Sequence, residues 1–297
     1  MKVGVIGLGS MGLGAAVSAV RAGLDVMGID LNPEARSRFS DAGGQSSNQL
    51  TDLCGADVVM VFVVNAQQAS DVLQPVLIES LAPDACVVNC VTLAPNKASA
   101  LADRVEKYGR LYLDAPVSGG AVRAMQGEMS VMAAGVPAAF ERAQPVLDAV
   151  AGKVFELGDR PGPGSRMKTV NQLLAGVHIA AAAEAMALAA QMDMDMHQVL
   201  DVIKDCAGTS WMFENRGPHI AEGDYRPRSM VDIFVKDLGI VSEATDCLDS
   251  LPMTTTALEL FSKASAQGMG KMDDSAVALL LARRAGCQLP GDPEGQS

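Results

Sequence analysis

A glycine-rich turn close to the start of the chain constrains the possible folds most. It comprises Gly7-Leu8-Gly9-Ser10-Met11-Gly12, directly after an apolar run over 2–6 and directly before a helical stretch. In this pattern the first glycine permits a tight turn, the second lets the backbone approach a pyrophosphate, and the third lets helix and strand pack closely. The helix start also offers N–H groups and the positive end of its dipole to phosphates. The turn therefore predicts a dinucleotide-binding site.

An acidic residue stands where the second strand should end. Asp30 follows the run over 25–29, 18 residues after Gly12. A carboxylate there can accept hydrogen bonds from both ribose hydroxyls of NAD, and it repels the 2′-phosphate of NADP. Arg36 keeps NADP open as an alternative, although its place inside the next helix favours a solvent-facing role. We therefore expect NAD as the cofactor.

The first half of the chain alternates between strands and helices. Short Val-rich runs bounded by turn residues occur over 2–6, 25–29, 58–63, 86–90 and 111–114. Continuous apolar strands separated by helices are typical of a parallel sheet covered on both faces, which is an α/β fold of the Rossmann type. Two further strand-like runs, over 129–135 and 153–157, suggest that the same sheet is extended.

The second half reads as helical throughout. A segment rich in glycine and proline, over 158–165, indicates a domain boundary. Helical stretches follow over 166–193, 196–206, 230–248, 254–268 and 273–285. We predict an NAD-binding Rossmann domain over 1–162, an all-α substrate and oligomerisation domain over 163–288, and a flexible tail over 289–297.

The longest helical run contains a stretch that could be mistaken for a membrane span. Residues 173–192 reach the length that a bilayer requires, about 20 residues. The stretch is built on alanine and carries His178, Glu184 and Gln191, so we expect a buried helix of a soluble protein. If its own domain left part of this helix uncovered, the apolar patch would demand a partner, which predicts a homodimer or homotetramer.

The charge balance and the cysteines exclude several other classes. The chain has 23 Lys and Arg against 35 Asp and Glu, a formal net charge of −12. Nucleic acids are bound through clustered cations, so no nucleic-acid partner is expected, and an acidic surface repels anionic membranes. The six cysteines form no CxxC pair and no ladder with histidine at metal-ligand spacing. We therefore expect reduced thiols, no metal site and a cytoplasmic location.

Two further segments carry residues suited to chemistry. In Asp114-Ala115-Pro116-Val117-Ser118-Gly119-Gly120, the last three amides can point into one concavity that suits a carboxylate or phosphate, although a plain loop is an equal alternative. Lys168 and Asn171 lie three residues apart and so share one face of a predicted helix. A cation near a helix start opposes the dipole, which draws attention to Lys168.

These motifs together resemble those of the β-hydroxyacid dehydrogenase family. The resemblance rests on the glycine turn, the segment over 114–120, the stretch around Lys168 and the pair Lys236-Asp237, which occur in the family's order and span about residues 1–285. It implies a Rossmann domain followed by an all-helical domain. It also implies hydride transfer between a nicotinamide cofactor and a small hydroxy acid.

By this resemblance, Lys168 would be the general acid/base and Asn171 would help to hold the substrate. The backbone of Ser118, Gly119 and Gly120 would bind the substrate carboxylate. A free lysine has a pKa of about 10.4 and is a poor base near neutral pH. Burial, together with the positive charges of bound nicotinamide and of Lys236, would favour the neutral amine that the reaction needs.

The resemblance also implies cofactor contacts outside the glycine turn. Contacts to adenosine or to the nicotinamide ribose would come from Val63, Val64, Gln68 and Thr92. Lys236 and Asp237 would line the cofactor side of the cleft. The family commonly has Leu-Pro or Met-Pro at the first pair and Asn at the third position, whereas this chain has Val64-Asn65 and Gln68.

The identity of the substrate stays open at this point. Residues 172–190 and 210–240 are most similar to the branch of the family that oxidises L-threonate, so oxidation of L-threonate to 2-oxo-tetronate is expected. That branch often has histidine where this chain has Asn171, which leaves 3-hydroxyisobutyrate and the reduction of tartronate or succinic semialdehyde as alternatives. A catalytically silent NAD-binding protein is another, although it would need neither Lys168 nor the segment over 118–120.

Overall fold

The computed structural model describes residues 1–245 and 250–293. The chain divides into two compact units, a first unit over Met1–Lys168 and a second unit from Thr169 onward. The division falls inside one continuous helix, α8 (Pro163–Gln191), whereas the predicted boundary lies just before that helix. Lys168 therefore belongs to the first unit and Asn171 to the second.

The first unit is built on a parallel sheet, as predicted, and this sheet has six strands. Its strands are β1 (Lys2–Ile6), β2 (Asp25–Ile29), β3 (Gln45–Ser47), β4 (Val58–Val61), β5 (Cys86–Asn89) and β6 (Leu111–Asp114). Their order is β3-β2-β1-β4-β5-β6, so the direction of winding reverses between β1 and β4. The carboxyl ends of the strands at such a reversal are where α/β folds bind ligands. Only β3, which reads QSS and has no apolar signal, is absent from the prediction.

Helices cover both faces of this sheet. They are α1 (Ser10–Arg21), α2 (Pro33–Asp41), α3 (Ala66–Val72), α4 (Pro75–Ser80), α5 (Pro95–Glu106), α6 (Gly120–Gln126) and α7 (Pro137–Val150). One buried cluster joins a sheet face to α1 and α7, and a second joins the opposite face to α4 and α5. The chain over 66–80 forms two helices, α3 and α4, because Pro75 cannot continue a helix that begins before it.

The prediction that the main sheet is extended is wrong. The two late runs form β8 (Met129–Ala133) and β9 (Ala151–Glu156), which join β7 (Val117–Ser118) in a separate three-stranded sheet. β7 pairs antiparallel to β8, and β8 pairs parallel to β9. Pro116, which lies between β6 and β7, has no N–H to donate, so the chain leaves the parallel ladder there.

The second unit is helical, as predicted. Beyond the greater part of α8 it contains α9 (Met196–Ile203), α10 (Trp211–Glu222), α11 (Val231–Glu243), α12 (Pro252–Ala264) and α13 (Val277–Arg284). The helix α10 is absent from the prediction, and its start is capped by the Ser210 hydroxyl, which accepts from Phe213 N at 3.0 Å. Leu289 is buried and Asp292 pairs with Arg283 at 2.5 Å. The predicted flexible tail over 289–297 thus begins with residues that contact the second unit, and residues 294–297 lie outside the described residues.

The helix α8 is the central element of the second unit. Among the described residues it is the one helix long and apolar enough to cross a membrane, by length and composition alone. Its buried side chains, such as Ile179, Ala183 and Met186, belong to the core of the second unit. Gly176 lets Leu238 of α11 approach closely, because a Cβ there would lie 2.7 Å from that side chain. These contacts identify α8 as a core helix of the second unit.

Candidate functional site

The glycine turn has the geometry that its spacing predicts. Gly7 has a φ of +93°, which only glycine adopts readily, and a Cβ there would lie 2.7 Å from the carbonyl oxygen of Phe62. A Cβ on Gly12 would lie 1.8 Å from the carbonyl oxygen of Gly7, so helix and turn are in direct contact. A Cβ on Gly9 would meet nothing within 4 Å, which leaves the surface over this residue open.

This open surface suits the pyrophosphate of a dinucleotide. The helix α1 begins at Ser10 with no side-chain cap at Gly9 and no acidic residue in its first turn. The first N–H groups of a helix have no partner within the helix and therefore attract an anion. Ser10 and Met11 occupy this first turn. The residues of the turn thus fit a bound nicotinamide dinucleotide.

Asp30 lies at the end of β2, beside the glycine turn. Its Oδ2 accepts from Leu8 N at 2.7 Å, and its Oδ1 accepts from Asn32 N at 2.8 Å. Each carboxylate oxygen has two lone pairs, so both can accept a further hydrogen bond from ribose. Arg36 donates through Nη1 to the carbonyls of Asp30 and Leu31, at 2.8 and 3.0 Å. The expectation that Arg36 simply faces solvent is wrong, because its guanidinium lies against the end of β2.

The loop after β4 is held by a reciprocal pair of side chains. Asn65 caps α3 by accepting from Gln68 N at 2.9 Å, and Gln68 Oε1 accepts from Val64 N at 2.9 Å. These are two of the residues that depart from the family pattern, and together they form a variant of a capping box. Val63 and Thr92 are both half-buried, at the ends of the neighbouring strands β4 and β5.

The segment after β6 places two consecutive glycines in the left-handed region. Gly119 has a φ of +131° and Gly120 a φ of +73°, directly after Ser118 at the end of β7. A Cβ on Gly119 would lie 3.0 Å from the Arg123 side chain, so a larger residue would also require that side chain to shift. Successive amides in such conformations form a concave binding surface for an anion.

Lys168 is buried against this same segment. Its side chain is only 7% exposed, and its Nζ donates to the carbonyl oxygen of Val117 at 2.8 Å. Val117 immediately precedes Ser118, so the amine lies next to the candidate carboxylate-binding backbone. A lysine is rarely this buried, and its cost must be offset by a specific role or partner.

Asp114, at the other end of this segment, is fully buried and binds the start of α8. Its Oδ2 accepts from Gly162 N at 2.9 Å and from Ser165 N at 2.8 Å, and its Oδ1 accepts from Ser165 Oγ at 2.7 Å. Burial raises the pKa of the Asp114 carboxyl, while the hydrogen bonds from Ser165 and Gly162 oppose that rise. The motif over 114–120 alone indicates no role for Asp114, because the partners of its carboxylate lie about 50 residues further along the chain.

In the second unit, two hydrogen bonds and an ion pair connect Asn171 to Lys236. Asn171 Nδ2 donates to Gln172 Oε1 at 2.9 Å, and Gln172 Nε2 donates to Asp237 Oδ2. Asp237 Oδ1 forms an ion pair with Lys236 Nζ at 2.8 Å. Gln172 and Asp237 are 7% and 3% exposed, so the contact between them is buried. Gln172 is absent from the predicted site residues. The one sequence feature that indicates it is a second amide side chain beside Asn171 in a largely apolar helix.

Comparison with known proteins agrees with these two units. Residues 2–158 match the family described as the NAD-binding domain of 6-phosphogluconate dehydrogenase. Residues 162–281 match the family described as NAD-binding of NADP-dependent 3-hydroxyisobutyrate dehydrogenase. The two matches together cover nearly all of the described chain.

Individual relatives match over the full length. The chain is 50% identical over 294 residues to L-threonate dehydrogenase of Escherichia coli strain K12, covering 97% of this chain and 96% of that protein. It is 50% identical over 299 residues to L-threonate dehydrogenase of Cupriavidus necator, covering 99% of each. A crystal structure of 3-hydroxyisobutyrate dehydrogenase from Salmonella typhimurium is 48% identical, with a TM-score of 0.89 over 94% of this chain and 99% of that one.

Identity at this level over both units extends beyond a shared fold to shared chemistry. The glycine turn, the segment over 114–120, Lys168 and the pair Lys236-Asp237 are all present in the places described above. The chain therefore belongs to the β-hydroxyacid dehydrogenase family and is a nicotinamide-dependent oxidoreductase of hydroxy acids.

Proposed function

We propose that this enzyme oxidises L-threonate to 2-oxo-tetronate with NAD as the acceptor and with Lys168 as the general base. The observation that carries the proposal is the buried Lys168 amine, bonded to the Val117 carbonyl oxygen at 2.8 Å, directly before the amides of residues 118–120. A proton acceptor and an anion-binding backbone in adjacent positions suit a substrate whose hydroxyl and carboxylate are neighbours.

Lys168 acts on the substrate hydroxyl. In the neutral amine, Nζ donates to the Val117 carbonyl oxygen, and its lone pair accepts the hydroxyl proton when substrate is bound. Bound NAD supplies the acceptor for the hydride that leaves the same carbon. In the reverse direction the protonated amine returns the proton to the carbonyl oxygen, so Lys168 serves as base or acid.

Other residues hold the substrate in place for this transfer. The backbone of Ser118, Gly119 and Gly120 binds the carboxylate, and both glycines have the positive φ that a concave run of amides requires. Asn171 gives one N–H to Gln172, which leaves its amide oxygen to accept from a substrate hydroxyl. Fixed donors and acceptors of this kind keep the reacting atoms in line without reorganisation.

The cofactor is bound by residues of the first unit and by Lys236. The turn over 7–12 binds the pyrophosphate, Asp30 binds the adenosine ribose, and Val63, Val64, Gln68 and Thr92 line the rest of the cofactor path. The carboxylate of Asp30 favours NAD over NADP. Arg36 does not reverse this preference, because its Nη1 is already engaged by two carbonyl oxygens.

We expect kcat/KM for L-threonate to exceed that for 3-hydroxyisobutyrate by about tenfold or more. This ratio corresponds to the free energy that one well-placed hydrogen bond contributes. 3-Hydroxyisobutyrate is the second candidate because a crystal structure 48% identical to this chain carries that name. L-Threonate has additional hydroxyls, and a site built to bond a hydroxyl rejects an analogue that lacks it. The measurement is the rate of NADH formation with L-threonate, 3-hydroxyisobutyrate, glycerate or 4-hydroxybutyrate as the substrate. A preference for 3-hydroxyisobutyrate would contradict the substrate, and inactivity on every acid would contradict the reaction.

We propose further that the enzyme is a cytoplasmic homo-oligomer. An apolar stripe on α8 within the second unit, the α8 stripe, comprises Val170, Leu174, Ala181, Ala185 and Leu188. Their spacing places them on one helix face, and Val170, Leu174 and Leu188 are 57%, 49% and 54% exposed. A second copy that covers this row would remove large apolar side chains from water. Each residue that becomes fully buried stabilises the contact by about 1.5–3 kcal/mol.

The substitution Leu188→Glu should convert the oligomer to a single-chain species, because a charge would be buried in the apolar contact. Light scattering coupled to size-exclusion chromatography measures the mass directly. Val202→Glu is a matched control, since Val202 on α9 is also 54% exposed but lies off the α8 stripe. An unchanged mass for Leu188→Glu, or an equal loss in Val202→Glu, would show that the stripe is not the contact.

A further inference from the structure

We propose that Asp114 is a positioning residue for Lys168: its buried carboxylate attaches the first turn of α8 to the end of β6 and thereby sets where the lysine amine lies. The inference rests on the proposed function in one respect, namely that Lys168 is the general base. The attachment itself belongs wholly to the first unit, which ends at Lys168.

The start of α8 supplies three hydrogen bonds to the carboxylate of Asp114. Three donors, Gly162 N, Ser165 N and Ser165 Oγ, lie 2.7–2.9 Å from its two oxygens, and both Asp114 and Ser165 are fully buried. A hydrogen bond to a charged acceptor is shorter and stronger than one between neutral groups. Breaking this set would leave unsatisfied N–H groups inside the protein, so the helix start has little freedom to move.

Close packing of backbone reinforces the attachment. A Cβ on Gly164 would lie 2.4 Å from the Met132 carbonyl oxygen and 2.5 Å from the Asp114 carbonyl oxygen. The first turn of α8 therefore rests directly on the ends of β6 and β8. Any side chain at residue 164 would push the helix away from these strands.

The same short segment binds the reacting amine. The Asp114 carboxylate accepts from Ser165, and the Val117 carbonyl oxygen accepts from Lys168. Val117 lies three residues after Asp114, and Lys168 lies three residues after Ser165. Residues three apart on a helix share a face, so these two contacts act on one face of α8. A shift of the helix start would thus change the distance between Lys168 Nζ and the Val117 carbonyl oxygen, next to the residues proposed to bind the carboxylate.

The test compares Asp114→Ala, Asp114→Asn and the matched control Asp57→Ala. Asp57 also anchors backbone in the first unit, accepting from Lys2 N at 2.7 Å, but it does not touch α8. We expect Asp114→Ala to lower kcat by roughly a hundredfold, the effect of a misplacement of about 1 Å, with the KM for NAD unchanged. Asp114→Asn should restore most of the rate, because its amide oxygen can accept both backbone bonds and its NH₂ can donate to Ser165 Oγ.

A second measurement needs no turnover. In full-length protein labelled with ¹³C at lysine Cε, the Lys168 signal is assigned by its absence from Lys168→Ala, and its titration midpoint should move in Asp114→Ala but not in Asp57→Ala. Should Asp114→Ala not fold, Ser165→Ala removes one of the three bonds and should move both readouts in the same direction. Unchanged kcat and an unchanged Lys168 titration would overturn the inference.

These experiments distinguish a wrong reaction from a wrong role for Asp114. If wild type oxidises no hydroxy acid while the Lys168 titration still moves in Asp114→Ala, the proposed reaction is wrong and the positioning is retained. If Asp114→Ala loses thermal stability but keeps kcat and the Lys168 titration, Asp114 is merely structural and the inference is wrong.

Discussion

Replacing Lys168 with alanine is expected to lower kcat by roughly a thousandfold, within the range that a positioned general base contributes. Lys168 is the buried amine that lies next to the residues proposed to bind the substrate carboxylate. Its loss removes the proton acceptor while the glycine turn and Asp30 remain. The affinity for NAD, measured by fluorescence titration, should therefore be nearly unchanged.

The appropriate control for this variant is Lys153→Ala. Lys153 belongs to the same unit, is exposed, and lies over the Phe155 ring with its amine 4.8 Å from the ring centre. This control should keep full activity. A Lys168→Ala enzyme that retained more than about a tenth of the wild-type kcat would remove Lys168 from the role, since even a modest general base contributes more than this.

Replacing Asp30 with alanine is expected to raise the KM for NAD by about tenfold or more and to leave the KM for NADP much less affected. Hydrogen bonds to a charged group contribute about 1.5–3 kcal/mol, and 1.4 kcal/mol corresponds to tenfold. Asp30 stands beside Leu8 of the glycine turn, with its Oδ2 2.7 Å from Leu8 N, where the adenosine ribose of a dinucleotide would lie. For NADP the loss of contact is offset by the removal of repulsion against the 2′-phosphate.

Asp25→Ala serves as the control for this second prediction. Asp25 is the exposed first residue of the same strand, at the end away from the glycine turn. Its removal changes the net charge equally but should alter neither KM. Initial rates with each cofactor at saturating substrate provide the measurement. An equal rise for NAD and NADP in Asp30→Ala would mean that the carboxylate supports the turn and does not select the cofactor.

The parts of the site that sequence predicted well are local in the chain. The residues from Gly7 to Gly12 and the end of β2 at Asp30 lie within one strand-turn-helix-strand unit, so their spacing alone indicates their geometry. Strand bounds such as those of β1 and β2 match the prediction because their apolar runs are buried on both faces of a parallel sheet.

The parts that sequence did not predict depend on partners far apart. Asp114 meets Ser165 across 51 residues, and Gln172 meets Asp237 across 65. No periodicity or turn signal connects such positions. The same limit explains why β8 and β9 were assigned to the main sheet: their sequences mark them as strands but not which strand they pair with.

The sequence by itself determined the fold class, the glycine turn, the candidate lysine and the family, because each follows from short-range spacing and residue type. Only the tertiary structure decided how the lysine is held, with Asp114 attaching the start of α8 and Val117 accepting from the amine. The physical reason is burial. A charged group inside a protein must find donors or acceptors there, and packing of distant segments alone determines which ones it meets.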